Sequence, residues 1–355
     1  MNLQRRKARD AQTELLCIFI FAFLIMAKPK SGNGYTLGID LGGTKILAGV
    51  VDKDGNVKAT GKKTTNAVAG PEAVIKRVIK ASDDAMQKAG ITLDQVEAIG
   101  IGCPGPVDSD KGIVRSAANL PGWVDIELAK ELKKWRDVPV ALSNDVRVAC
   151  VGEHRMGAGK GCKNLITIFV GTGIGGGIIV NDQIYTGSRW SAGEIGHMIM
   201  MPDGPYPMGA GVRGGVETLA SRTAIDRDLR AGIAAGIVKT NLPKLMEQKD
   251  GAITSSVLKA AVEAGDPLTI GVLQRAAYYL GLHAATLINA FDPEMLIYGG
   301  GVIEGLSEWL LKQIRPVAYA NSVNKFEVTK IKIVEAKLGE QAGVIGAALL
   351  ARGLL

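Results

Sequence analysis

Residues 37–52 read LGIDLGGTKILAGVVD, from Leu37 to Asp52. A short apolar run breaks at Asp40-Leu41-Gly42-Gly43-Thr44-Lys45, and a second apolar run follows. Two runs of strand length joined by a glycine-rich break predict a β-hairpin. Glycine has no Cβ, so the backbone there turns freely and a ligand can approach it closely. Thr44 and Lys45 add a hydroxyl and a cation beside backbone N–H groups, a combination that suits a phosphate. The pattern recurs far downstream. Gly43-Thr44-x-Ile46-x-x-Gly49 is matched by Gly171-Thr172-x-Ile174-x-x-Gly177, with apolar residues 165–170 before it and 178–180 after. One such hairpin is equally well a plain tight turn. Two copies imply duplicated halves that each offer a turn to one ligand.

The chain has 355 residues, enough for two domains of ordinary size. Its 46 glycines, few aromatics and many small aliphatic residues have the balance of a soluble α/β protein. The net charge of +7 is uneven: residues 1–30 hold Arg5, Arg6, Lys7, Arg9, Lys28 and Lys30 against Asp10 and Glu14. Elsewhere basic residues neither cluster nor interleave with aromatics, so no nucleic-acid partner is expected. Cys17, Cys103, Cys150 and Cys162 show no metal or redox spacing, which favours a reducing, cytoplasmic setting. Residues 15–27, LLCIFIFAFLIMA, are apolar throughout. The run is short for a membrane span, which needs about 20 residues. It has the length of a signal-peptide core after a basic start, yet no small-x-small cleavage site follows. The readings are a targeting or anchoring segment, with membrane contact only if residues 15–27 are retained, or a start at Met26 that leaves an ordinary leader. Residues 1–33 are set outside the fold.

Outward from the hairpin, Val57–Thr64 reads as a third strand after the Asp54-Gly55-Asn56 turn. Pro71 opens a helix that runs to about Ala89, with Gly90 just past its end. Val96–Ile101 and Val138–Leu142 read as strands, and Met295–Tyr298 and Val328–Glu335 as two more. Helices are expected from Val146 to Arg155, from Glu217 to Arg230, and over Pro243–Ala264 with a break at Asp250-Gly251. Further helices are expected over Ala276–Phe291, from Glu304 to Ile314 with a stop before Pro316, and over Gly343–Ala351.

Several segments carry polar groups in positions open to chemistry. Asn119-Leu120-Pro121-Gly122-Trp123 is either a proline turn with one packed aromatic or a loop presenting an Asn amide to a ligand. Asn144-Asp145 sits where a strand gives way to a helix. A carboxylate there is commonly an N-cap, but open α/β sheets also keep catalytic groups beyond the carboxyl ends of strands. His154 and His283 lie in helical patterns and read as structural. Glu194 and His197 are three apart, but Gly193 and Gly196 disfavour a helix, so they suit a polar small molecule better than a di-metal site. Glu217 opens a helix, where an acid often serves only the dipole. Gly299-Gly300-Gly301 is a third glycine turn.

Taken together, these motifs resemble the ROK family of sugar kinases and repressors, from Tyr35 to the end of the chain. The resemblance implies an α/β, two-domain actin-like (ribonuclease H-like) ATPase fold with a central nucleotide and sugar cleft. Residues 34–146 would form the N-terminal domain, with helix 340–355 packing back onto it, and residues 147–339 the C-terminal domain. It implies ATP-dependent phosphorylation of a hexose, glucose to glucose 6-phosphate first, with N-acetylmannosamine, N-acetylglucosamine or fructose as alternatives. Asp145 would be the general base, and Asn119, Asn144, Glu194, His197, Glu217 and Gly105 would face the sugar. Asp40, Gly42, Gly43, Thr44 and Lys45 on one side, and Gly171, Thr172 and Gly173 on the other, would hold ATP phosphates. Gly299 and Gly300 would lie by the adenosine, and Asp40 would stand on the Mg²⁺ side. A homodimer or homotetramer is the family habit. A family repressor carries a helix-turn-helix domain before this core, whereas an apolar run precedes Tyr35 here, and a non-catalytic sugar-binding regulator would be expected to lack Asp145 or a phosphate turn. One departure stands out. Many members bind a structural zinc through a CxCGxxGCxE segment and the histidine, and here Met208, Ala210 and Gly215 replace all three cysteines. His197 alone does not complete a four-ligand site, so no zinc is expected.

Overall fold

Each glycine turn joins the first two strands of a five-stranded sheet, and the two sheets share one strand order. The computed structural model describes residues 34–208 and 211–353. The apolar run at 15–27, Met26 and Ala210 lie outside the described residues.

In the first lobe, β1 (Tyr35–Leu41) and β2 (Lys45–Val51) form the hairpin, and β3 (Val57–Thr64) continues it antiparallel. Helix α1 (Pro71–Ala89) then crosses over to β4 (Val96–Cys103), parallel to β1. A small sheet of β5 (Val107–Asp108), β6 (Ile113–Ser116) and β7 (Val124–Ile126) follows, then α2 (Leu128–Trp135) and β8 (Val140–Asn144), giving the order β3-β2-β1-β4-β8. Parallel neighbours need such crossovers, whereas the hairpin needs only its turn. Helix α1 is bounded as its sequence indicates: Pro71 occupies the first turn and Gly90 closes the end in the left-handed conformation, φ 67°. Val74, Val78, Ala81 and Ala85 are its buried stripe. After β8 comes α3 (Asp145–Met156).

The second lobe repeats the plan with β9 (Leu165–Val170), β10 (Ile174–Val180), β11 (Gln183–Ile184), β12 (Met295–Gly299) and β13 (Lys332–Glu335), ordered β11-β10-β9-β12-β13. Between β11 and β12 lie α4 (Val216–Ala220), α5 (Arg222–Ala235), α6 (Leu242–Glu247), α7 (Ser255–Glu263) and α8 (Pro267–Phe291). Helix α9 (Gly301–Asn321) links β12 to β13, and α10 (Ala342–Ala351) follows β13 as α3 follows β8. The two largest core clusters are separate, one around each sheet.

Helices α3 and α10 lie against each other, and each also lies on the opposite lobe's sheet. Backbones meet there because side chains are missing. A Cβ on Gly38 would sit 1.9 Å from the Val344 carbonyl oxygen, one on Gly100 1.8 Å from that of Ala347, and one on Gly346 1.7 Å from that of Val148. On the other sheet, a Cβ on Gly177 would sit 2.3 Å from the Cys150 Cβ. The buried Glu153 of α3 accepts from the Lys337 N–H (2.9 Å), the Leu338 N–H (2.7 Å) and the Ala158 N–H (2.8 Å), tying α3 to the approach to α10.

Four elements differ from the sequence reading. The helix expected from Glu217 to Arg230 breaks at Ser221, which leaves helical geometry (φ −69°, ψ 167°) and caps α5 through its hydroxyl on the Ala224 N–H. Helix α8 begins at Pro267 rather than Ala276, capped by Asp266 on the Thr269 N–H. Helix α9 does not stop before Pro316 but runs through it, with a kink at Leu306. Packing outweighs the lost N–H: Leu310, Leu311, Ile314 and Ala318 are buried, and Gly281 of α8 lets Val317 approach. Of Val328–Glu335, only 332–335 is strand, and 328–330 makes a single 3₁₀ turn. Among the described residues no helix is long and apolar enough to cross a membrane.

Candidate active site in the cleft

The cleft is built from strand ends and turns. Asp40 is the penultimate residue of β1, and Gly42 to Thr44 turn the chain back into β2, closed by the Gly42 N–H on the Lys45 carbonyl (2.9 Å). The second turn closes one residue tighter, Gly171 N–H to the Gly173 carbonyl, 2.9 Å. Thr44 and Thr172 are exposed at the two tips. Lys45 is held by Glu340, Nζ to Oε1 2.6 Å, and Lys62 stands 3.6 Å from the same carboxylate.

Asp145 opens α3 directly after β8. Asn144 is its N-cap, accepting from the Val146 N–H (3.1 Å) and the Arg147 N–H (3.2 Å). Its amide also donates to the Gly105 carbonyl at 3.3 Å, which sets Gly105 beside the strand end. With the cap filled by Asn144, the Asp145 carboxylate is left facing its neighbours, although one oxygen accepts from the Val146 N–H at 2.8 Å. Burial pushes the Asp145 carboxyl above the ordinary range, and the Glu194 charge adds to that. Burial, followed by the charge of Asp145, pushes Asp40 up to about 7 against the pull of Lys45.

An acid whose folded pKa is raised binds more protons folded than unfolded between its two values. For Asp40 that window runs from its ordinary 3.8 to about 7, so its contribution to stability falls as pH rises across it. In metal-free buffer, Asp40→Asn is therefore expected to gain stability relative to the parent between pH 5 and pH 8. Equal melting-point differences at the two pH values would remove this assignment.

Some of the remaining polar groups meet at a cavity of about 460 Å³, which Glu194, Asn144, Asp145 and Asp40 do not line. Asn119, Thr172, Gly173, His197 and Glu217 line it together. Glu217 accepts from the Ile174 N–H at 2.7 Å, and a Cβ on Gly173 would strike its carboxylate. A Cβ on Gly43 would fall 2.9 Å from the Asn119 Cβ, so the first turn and the Asn119 loop touch. That loop fits both readings of its sequence: Trp123 is packed in the core and Asn119 is exposed to the cleft. Glu194 precedes a single 3₁₀ turn, Ile195–His197, and its carboxylate lies 3.8 Å from His197 Nε2. Outside the cleft, His154 Nε2 meets the Cys162 carbonyl at 2.8 Å, and His283 is wholly buried, which pushes it down to about 4.

Gly300 adjoins the second turn, its φ of 86° placing it against the Val170 backbone. Gly299 does not share that position: it is buried within β12 against Phe169 and Ala336. Three residues escaped the sequence reading. Thr223 donates its hydroxyl to the Thr172 carbonyl (2.8 Å) and the Arg222 N–H bonds the Gly171 carbonyl (2.9 Å). Arg222 Nη2 also donates to Ser255 Oγ, which donates to the Gly301 carbonyl, each at 2.6 Å. These contacts brace the second and third glycine turns across long sequence gaps. Nothing in the spacing of Arg222, Thr223 and Ser255 along the chain signals these contacts.

Among the described residues no group of three His, Cys, Asp or Glu side chains is placed to hold a metal. Met208 is largely exposed at the cavity edge, and Gly215 pairs its backbone with Ile199. Elemental analysis of the purified protein is expected to find no stoichiometric zinc, and one zinc per chain would contradict that.

Two lobes of one topology, each sending a glycine turn into a shared cleft that holds half-buried carboxylates, define a two-lobed actin-like ATPase fold. The ROK family model matches residues 36–353, and the chain belongs to the ROK family. A glucokinase from Halalkalibacterium halodurans is 34% identical over 317 residues, covering 89% of this chain and 94% of that one. Among solved structures, a ROK family glucokinase from Streptomyces griseus in complex with glucose and AMPPNP is 34% identical, with a TM-score of 0.78 over 90% of this chain and all of that one. A ROK family transcriptional regulator, a homologue of the E. coli MLC protein, is 28% identical, with a TM-score of 0.79 over 91% of this chain and 78% of that one.

Proposed function

We propose that the protein transfers the γ-phosphoryl group of ATP to a hexose hydroxyl, with glucose O6 as the first acceptor. The observation that carries this reading is Asp145, a partly buried carboxylate between two phosphate-type turns, in a chain 34% identical to a glucokinase. Asp145 takes the proton from the sugar hydroxyl as its oxygen attacks the γ-phosphorus. The bond from that phosphorus to the β-bridging oxygen breaks, and ADP leaves. A carboxylate raised above its ordinary pKa is a stronger proton acceptor once ionised, which suits this task. Asn119, Asn144, Glu194, His197 and Glu217 bind the ring hydroxyls, with Gly105 shaping the wall beside Asn144. Such polar sites discriminate strongly, because a sugar lacking one hydroxyl leaves a buried partner unpaired.

The turns at Gly42–Lys45 and Gly171–Gly173 hold the phosphates by backbone N–H groups, with Gly300 toward the adenosine. Asp40 fits a Mg²⁺ role, since it is a half-buried carboxylate on which the charge of Asp145 acts. When bound, Mg²⁺ offsets charge on the transferring phosphoryl group. Lys45 reaches phosphate on leaving Glu340. Residues 34–146 with α10, and 147–339, are the two bodies that close on the ligands and limit water.

The test is ADP release with ATP and Mg²⁺ over glucose, N-acetylmannosamine, N-acetylglucosamine and fructose. Glucose-dependent release supports the reading, whereas sugar binding without ADP release places the chain with the regulators.

A further inference from the structure

Arg147 lies two residues after Asp145, in the first turn of α3, and only 3% of it is exposed. Its Nη2 donates to the backbone carbonyls of Trp190 (2.7 Å) and Ala192 (3.2 Å). Its Nε and Nη1 are buried without a hydrogen-bond partner. The acidic charges that act on it belong to Glu194 and Asp145. A buried cation with donors unused costs free energy, and an apolar side chain of similar volume often replaces one without loss of stability. Stability alone is therefore a poor reason for arginine here.

Its contacts supply a better one. Trp190 takes a left-handed φ of 52°, unusual for a residue with a side chain. Two residues after Ala192 comes Glu194. Between them, the Gly193 carbonyl accepts from the Gly176 N–H at 3.1 Å, docking the segment on β10. The guanidinium thus ties the segment that delivers Glu194 to the helix turn that delivers Asp145. Both bonds leave the one nitrogen Nη2, whose two hydrogens are fixed in the guanidinium plane, whereas an ammonium at the end of a flexible stem is shorter in reach and free to rotate.

We propose that Arg147 is a positioning residue for the sugar side of the cleft, holding Glu194 in register with Asp145. The inference rests on the sugar-kinase reading for what the two carboxylates do. It assigns Arg147 no contact with the ligand. Glucose affinity then depends on Arg147, while nucleotide affinity does not.

The experiment uses the full chain and two variants, Arg147→Met and Arg147→Lys. Glucose is titrated without nucleotide, followed by tryptophan fluorescence. KM for ATP and the melting temperature are measured alongside. Arg147→Met is expected to weaken glucose binding about tenfold or more, the worth of one charge-assisted hydrogen bond. KM for ATP should hold and the melting temperature should stay level or rise. Arg147→Lys, which keeps the charge but loses the reach and fixed plane of Nη2, should bind glucose as poorly. A lower melting temperature with parental glucose affinity would make the residue merely structural and overturn the proposal. Full rescue by lysine would overturn it too, and lysine alone decides the matter if the Met variant does not fold. A parent chain that binds glucose but releases no ADP refutes the kinase reading, while the glucose affinities still decide the role of Arg147. A parent that binds no hexose overturns both.

Discussion

Asp145→Asn is expected to leave the chain folded and to slow turnover by roughly 10²–10⁴. The amide keeps an oxygen where the Val146 N–H donates, and the cap on α3 belongs to Asn144, so the local fold has little reason to change. What disappears is the proton acceptor. Glucose and ATP should bind nearly as in the parent, because ring contacts and phosphate turns lie on other residues. The measurement is kcat by ADP release, with glucose affinity and circular dichroism as controls. A near-parental kcat would move the base elsewhere, and Glu194, the acidic charge acting on Asp145, would be the next candidate.

Gly346→Ala is expected to cost about 3 kcal/mol of stability, the upper end for forcing a methyl into a filled site. A Cβ there would sit 1.7 Å from the Val148 carbonyl oxygen and 2.8 Å from the Gly152 nitrogen, both backbone atoms of α3. Neither can rotate away, so α10 and α3 must separate. Because α3 begins at Asp145, kcat should fall along with the urea midpoint. Gly271→Ala is the matched control: it lies within α8 with nothing within 4 Å of the added carbon. Removing a helix-interior glycine there should be neutral or stabilising by roughly 0.5–1 kcal/mol. If both variants unfold at the parental urea concentration, the close packing of α3 on α10 is not what holds the lobes.

Much of the scaffold was legible because its signals are local. The paired hairpins show in two glycine breaks between apolar runs. Helix α1 shows in Pro71, Gly90 and a stripe spaced by three and four residues. The start of α3 shows in the change from Val138–Leu142 to Asn144-Asp145. Where distant contacts decide, local signals mislead. Pro316 reads as a stop, yet α9 passes through it because its buried face is held by α8. The nine residues before Ala276 lack a strong stripe, yet Asp266 caps a helix there. In the cleft, the carboxylates and glycine turns could be picked out because glycine and acid at strand ends are chemically conspicuous. Arg222, Ser255 and Arg147 could not. Each acts on backbone carbonyls or hydroxyls brought close only by the fold, and no spacing along the chain announces that.

The exchange of α3 and α10 between lobes also has a consequence for synthesis. All five strands of the first sheet are made once Asn144 leaves the ribosome, but the face that α10 covers must wait. Arg352 donates to Thr36, 316 residues earlier in the chain. Until that late segment emerges, Gly38 and Gly100 leave two strands with bare backbone and an open apolar face. Long-range closure of this kind is slow and exposes the nascent chain to aggregation. The first lobe is thus made first and finished last, and chaperone demand should be greatest while the second lobe is being translated.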